Sequence, residues 1–181
     1  MFPVLEVPAI NRQGQYASCS GSNHEGAFER LLINFGYSRI GEDTKKGNPK
    51  RMSIKDIDDA QIGRFYLRQV ALPVADAKTR TGKEKVFLVD FAVVNREKYD
   101  KGLLIDLKRQ DTEGTTEEKL PYAVMRLREY GMPYVIVTEG QGFSPYIKDW
   151  CRHYMETDES GLFRYFESER AFRRQAERGL L

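Results

Sequence analysis

The sequence predicts an α/β fold, a mixed central β-sheet organised around an antiparallel hairpin and flanked by helices. Three observations lead there. VFLVDFAVVN and GLLIDLK are apolar runs of strand length, each carrying one acid inside it. The charged segment 96–100 between them suits a short hairpin connection. Apolar residues at helical spacing stand on both sides of this pair, in SNHEGAFERLLINFGY before it and after Pro121 beyond it.

Taken in order, an extended polar segment runs to Gly21. A helix then spans 23–35, with Phe28, Leu31, Leu32 and Phe35 on one stripe, Ser22 or Asn23 as its start and Gly36 as its stop. A basic loop, Lys45 to Arg51, and a short helix over 54–62 follow. Segment 65–72 is the first strand, with Phe65, Leu67 and Ala71 interleaved with Tyr66, Arg68 and Val70, and Pro73 ends it. The charged turn 76–85 leads into the central hairpin. Pro121 suits the first position of a helix to Tyr130, closed by Gly131. Segment 134–138 is a short buried strand, and a helical region from Ile147 ends in a basic amphipathic tail over 163–178. The whole reads as one domain over 1–181, with a core at about 23–138 and a C-terminal helical region at about 145–181.

The acids of the hairpin carry the chemistry. Folding the chain symmetrically about Lys98 sets Asp90 across from Asp106, and facing residues of an antiparallel pair lie roughly 5 Å apart. Period-two alternation puts Lys108 on the face of Asp106, so two carboxylates and an ammonium converge. That set suits a hard divalent cation such as Mg²⁺, which takes oxygen ligands and keeps several waters. Two acids also keep Lys108 protonated against the desolvation that would depress its pKa, so it reads as a charge stabiliser rather than a free-amine base. The plain alternative is a structural ion pair between Asp90 and Lys108, which leaves Asp106 as a second acid to neutralise.

Asp90 followed sixteen residues on by Asp106-Leu107-Lys108 resembles the PD-(D/E)XK nuclease superfamily, to which many type II restriction endonucleases belong. Val89 stands where the motif name has Pro. The resemblance implies a restriction-endonuclease-like core and a metal-dependent phosphodiesterase acting on DNA, with both acids as ligands and Lys108 as base or stabiliser. It also implies a role for Gln110, two residues past the motif lysine, and for an acid on the preceding helix. On a helical wheel Glu25 lies at the edge of the apolar stripe and Glu29 farther toward solvent, so Glu25 is the third candidate ligand. Junction-resolvase-like members place such an acid about three turns ahead of a Gly-aromatic helix end, as Glu25 stands ahead of Gly36-Tyr37. Ser22-x-x-Glu25 reads equally as a capping box.

DNA contact needs phosphate-binding cations. Lys45, Lys46, Lys50 and Arg51 form one candidate set, Arg80 and Lys83 a second, and Thr115 and Lys119 of the segment after Gln110 a third; solvated loops are the plain reading of each. A net charge of +2 excludes a histone-like polycation. Two cysteines without metal-ligand spacing fit a reducing cytoplasm, and no run reaches membrane-spanning length. The expectation is a Mg²⁺-dependent endonuclease, with Mn²⁺ as a substitute, cutting double-stranded DNA as a homodimer of the type II restriction kind. A structure-selective repair or junction-resolving nuclease and a non-catalytic DNA-binding subunit of the same fold are the alternatives.

Overall fold

A computed structural model describes residues 24–41, 52–53, 63–112 and 117–181. The expected helix over 54–62, the basic residues Lys45, Lys46, Lys50 and Arg51, Thr115, and the Ser22 cap lie outside the described residues. Helix α1 (24–34) is followed by strands β1 (Ser38–Arg39), β2 (Met52–Ser53), β3 (Arg64–Lys78), β4 (Glu84–Asn95) and β5 (Tyr99–Arg109). Then come α2 (Lys119–Arg128), β6 (Tyr134–Glu139), α3 (Pro145–Thr157), β7 (Phe163–Phe166) and α4 (Glu169–Gln175), which runs into a wider turn over Ala176–Leu180.

The strands form one mixed sheet of seven, in the order β1-β3-β4-β5-β6-β7, with β2 also on the outer edge of β3. β4 runs antiparallel to both of its neighbours, β3 and β5, whereas β5, β6 and β7 run parallel and are joined through α2 and α3. Each face of the sheet is covered. On one side α1 and α4 bury Phe28, Leu31, Leu32 and Phe172 against Phe91, Val93, Ile105 and Leu107, the Phe28 ring lying 4.9 Å from Phe172 and 5.3 Å from Phe91. On the other, Leu120, Val124 and Leu127 of α2 and Cys151 of α3 pack on Leu67, Ala92, Leu104 and Ile136. Burial on both faces explains why the central strands read as near-continuous apolar runs.

The β4–β5 register is the detail that positions chemistry. The turn itself is centred on Glu97, because Asn95 pairs with Tyr99. Between that rung and Val93↔Leu103, β5 carries two residues more than β4, a bulge that contains Gly102 at φ +91°. The rungs then run Val93↔Leu103, Ala92↔Leu104 and Phe91↔Ile105, a register centred on Lys98 whose next position, just past the last rung, sets Asp90 against Asp106. Without the bulge, Asp90 would face Leu104.

Past Phe91↔Ile105 the two strands part. β4 runs on with β3 as an arm, edged at its base by β2, and β5 runs on with β6 as far as Arg109↔Glu139. Asp90 and Asp106 sit at the crotch of this fork.

Three expectations require correction. Pro73 does not end β3, which continues to Lys78; Pro73 lies past the rungs with β2, an edge location where a missing N–H costs no ladder bond. The interleaving read over 65–72 does not hold along β3, since Tyr66 packs under α1 while Leu67 and Val70, three apart, both pack under α2. The C-terminal region is not wholly helical. Phe163 and Tyr165 are buried with Arg164 exposed between them, a period of two that makes β7, and Ser168 caps α4 only afterwards.

Gly102 supplies a test of the register. A Cβ there would meet Val93 O at 3.1 Å in a conformation that L side chains rarely adopt. Gly102→Ala is expected to lower stability by about 1–3 kcal/mol in urea unfolding. A midpoint equal to that of the native protein would remove Gly102 from the control of the hairpin.

Candidate active site

Asp106 is 1% exposed, in the middle of β5. Its Oδ2 is paired with Lys108, whose Nζ lies 2.5 Å away, while Oδ1 accepts no hydrogen bond among the described residues. Lys108 stands two residues on along the same face, as period two requires, with its side chain 20% exposed. Asp90 is better furnished. The N–H groups of Leu104 and Gln110 point toward β6, donating to Pro133 O and Glu139 O, so that of Leu107 points toward the departing β4. Asp90 Oδ2 accepts it at 2.7 Å, and Asp90 Oδ1 accepts from Gln69 Nε2 at 3.2 Å. The carboxylate thus satisfies a backbone donor that the fork would otherwise orphan.

The electrostatics follow from burying two acids with one base. Desolvation pushes the Asp90 carboxyl up, Lys108 and the Leu107 N–H pull it down, and Glu25 adds to the rise; the net direction is upward. Asp106 rises to about 7, first through burial and then through Asp90, against the pull of Lys108. Burial alone would lower Lys108, but Asp106 and Asp90 outweigh it and its pKa is raised. Lys108 therefore stays cationic, as the sequence led us to expect. The trio carries a net negative charge when both acids are ionised, which a bound cation would balance.

The acids of α1 are arranged differently from expectation. Glu25 and Glu29, one turn apart, both bind Arg68 of β3, from NH2 to Glu25 Oε2 at 3.0 Å and from NH1 to Glu29 Oε2 at 2.9 Å. Glu29 also accepts from the Tyr66 hydroxyl at 2.8 Å and is 17% exposed, so it belongs to a half-buried network and not to a solvated helix face. Glu25 lies near enough to raise the pKa of both Asp90 and Lys108. Even so, no group of three or more His, Cys, Asp or Glu able to hold a metal occurs among the described residues. Asp90 and Asp106 are the candidate pair for a divalent cation: two carboxylates, one with an unpartnered buried oxygen, a donor set that suits a hard ion keeping water in its other positions.

Gln110 is buried at the end of β5, where Nε2 donates to Gly142 O at 2.8 Å and its carbonyl accepts from Gly142 N. A Cβ at Gly140 or Gly142 would collide with the 110–112 backbone, so Gln110 clamps the loop after β6. Arg80 and Lys83 are exposed at the tip of the β3–β4 arm, and Lys119 is exposed at the start of α2. Sequence reading missed Gln69, Arg68 and Tyr66 as neighbours of the site. Their readable trace is Arg68-Gln69 itself, two successive polar residues between Leu67 and Val70, which breaks period two.

A family model described as the PD-(D/E)XK nuclease superfamily domain matches residues 17–170. No curated protein and no solved structure matches the chain. No helix among the described residues is long and apolar enough to cross a membrane.

The raised Asp106 carboxyl has a consequence for stability. Its folded-state pKa lies above the unfolded value, so its contribution is fully present below about pH 4 and is lost as pH rises through about 7. In thermal melts with EDTA, Asp106→Asn is expected to gain Tm relative to the native protein as pH goes from 4 to 8, by roughly 2–4 °C for each kcal/mol recovered. A Tm difference that does not change with pH would contradict the assignment.

Proposed function

The chain belongs to the PD-(D/E)XK nuclease superfamily, and from that premise we propose that it is a Mg²⁺-dependent endonuclease hydrolysing phosphodiester bonds of double-stranded DNA. The observation that carries the reading is Asp106: a carboxylate 1% exposed at the crotch of a fork, with Oδ1 unpartnered among the described residues and the Lys108 ammonium, 2.5 Å from Oδ2, as the single cation there beside two acids, itself and Asp90. A buried acid left in that state is costly unless a cation shares it.

Asp90 and Asp106 would hold the ion, with Mn²⁺ as a substitute. When bound, it supplies charge neutralisation at the phosphoryl group and acidifies a water. Asp90, fixed by the Leu107 N–H and the Gln69 amide, presents its free lone pairs in one direction. Lys108, held cationic by the two acids, stabilises the negative charge that grows on the non-bridging oxygens as water attacks. Glu25 serves as the auxiliary acid near Lys108 while Arg68 fixes its position. Gln110 supports the site from outside by clamping the loop over 140–142. Arg80 and Lys83 on the arm, and Lys119 at the start of α2, are suited to DNA phosphates; Lys45, Lys46, Lys50, Arg51 and Thr115, outside the described residues, are the further candidates by residue type.

Within the superfamily we favour a type II restriction endonuclease working in the cytoplasm. Cutting both strands calls for two such sites, which a homodimer supplies.

Incubation with plasmid and Mg²⁺ tests this. Discrete fragments that disappear with EDTA are the expected result, and Lys108→Ala should lower kcat by about 10²–10³-fold. Cleavage confined to branched substrates would redirect the reading to junction resolution. DNA retention without cleavage would reduce the chain to a binding subunit, and Lys108→Ala cutting at the native rate would remove Lys108 from the mechanism.

A further inference from the structure

We infer that Gln69 is a positioning residue for the candidate metal centre: its side-chain amide sets the orientation of Asp90, and the backbone of β3 is bent to deliver it. The inference rests on Asp90 as a ligand and concerns what holds that ligand.

Three independent observations meet at this residue. Among the described residues Gln69 is the non-glycine residue with a left-handed backbone, φ +51°. Second, it faces Asp90 across the sheet, since Arg68↔Phe91 and Val70↔Val89 are the rungs on either side. Third, Gln69 Nε2 lies 3.2 Å from Asp90 Oδ1. An ionised carboxylate only accepts, so the amide nitrogen is the atom that faces it.

The backbone conformation explains how the side chain arrives. Leu67 and Val70 pack into the same cluster under α2, although three positions apart, and on β4 Val89 and Ala92 do the same. Both strands reset their alternation on the rung Gln69–Asp90 without a change of register. No residue is inserted, so the reset is a kink and not a bulge. Glycine would adopt this backbone without strain. What glutamine adds there is a neutral donor, and an observed non-glycine residue in that region is the kind of outlier from which function is argued.

The donor completes a set. With Leu107 N on Oδ2 and Gln69 Nε2 on Oδ1, each Asp90 oxygen carries one hydrogen bond and the carboxylate cannot rotate without losing one. Free lone pairs on both oxygens remain for a cation. Arg68, the preceding residue, grips Glu25 at the same time, so two adjacent β3 residues each orient one acid of the site.

Two substitutions separate the side chain from the backbone. Gln69→Met keeps the length and the strained φ but removes the donor, and Gln69→Gly removes both the donor and the strain. The probe is Mn²⁺ alone, titrated into the full chain by calorimetry, with urea unfolding in EDTA as the check of fold. Both variants are expected to bind Mn²⁺ about 10-fold or more weakly than the native protein. Gln69→Gly should unfold at an equal or higher urea midpoint, a combination that a purely structural role would not produce. Gln69→Met binding Mn²⁺ as tightly as the native protein, while Asp90→Asn abolishes binding, overturns the inference and leaves the function of the site standing. Native protein that takes up no Mn²⁺ overturns both.

Discussion

Two carboxylates and one ammonium share a desolvated notch between strands, and most of the fold serves to make that arrangement tolerable. Asp106 is shut off from solvent, so its charge is balanced by Lys108 on one side and disturbed by Asp90 on the other. An apolar pair would be easier to bury. The three groups are instead held together by β5, which fixes Asp106 and Lys108 on one face, and by β4, which brings Asp90 to the same place. A site poised in this way has unmet electrostatic demand, and a divalent cation with its waters is the complement that fits it.

The notch exists because β4 and β5 stop pairing at the rung before it. Forking exposes backbone donors, and Asp90 meets the exposed Leu107 N–H with its own side chain, so the candidate ligand is also a structural cap on the split. The bulge at Gly102, several residues away, decides which residue of β5 lies opposite Asp90. Because the bulge adds two residues, it shifts the partner without changing the face, and the inward and outward patterns of both strands survive.

Around the notch, polar contacts from distant parts of the chain do the fixing. Arg68 joins β3 to two acids of α1, Tyr66 adds a hydroxyl to Glu29, and the Arg68 guanidinium lies 6.0 Å from the Phe91 ring centre. Gln110 ties the end of β5 to the loop after β6. On the far side of the hairpin, Lys98 and Tyr99 donate to the carbonyls of Leu181 and Leu180, so the last residues of the chain brace the turn opposite the site.

What the sequence by itself determined is the local chemistry. The apolar runs around Asp90 and Asp106, the i, i+2 spacing of Asp106 and Lys108, the helical stripe of α1 and the Pro121 helix start are all short-range signals, and each corresponds to an observed element near its expected bounds. The short strands β1 and β2, the passage of β3 through Pro73 and the strand at Phe163 were hidden, because two to four residues hold too little periodicity and their pairing partners are far away in the chain. The roles of Gln69 and Arg68 were hidden for a related reason. A glutamine in a strand has no distinctive spacing, and only the β3–β4 register brings it against Asp90. Residue types and their alternation are written locally and set which groups face the same way; which of them meet is decided by register, bulges and forks, and those come from the long-range packing of the sheet.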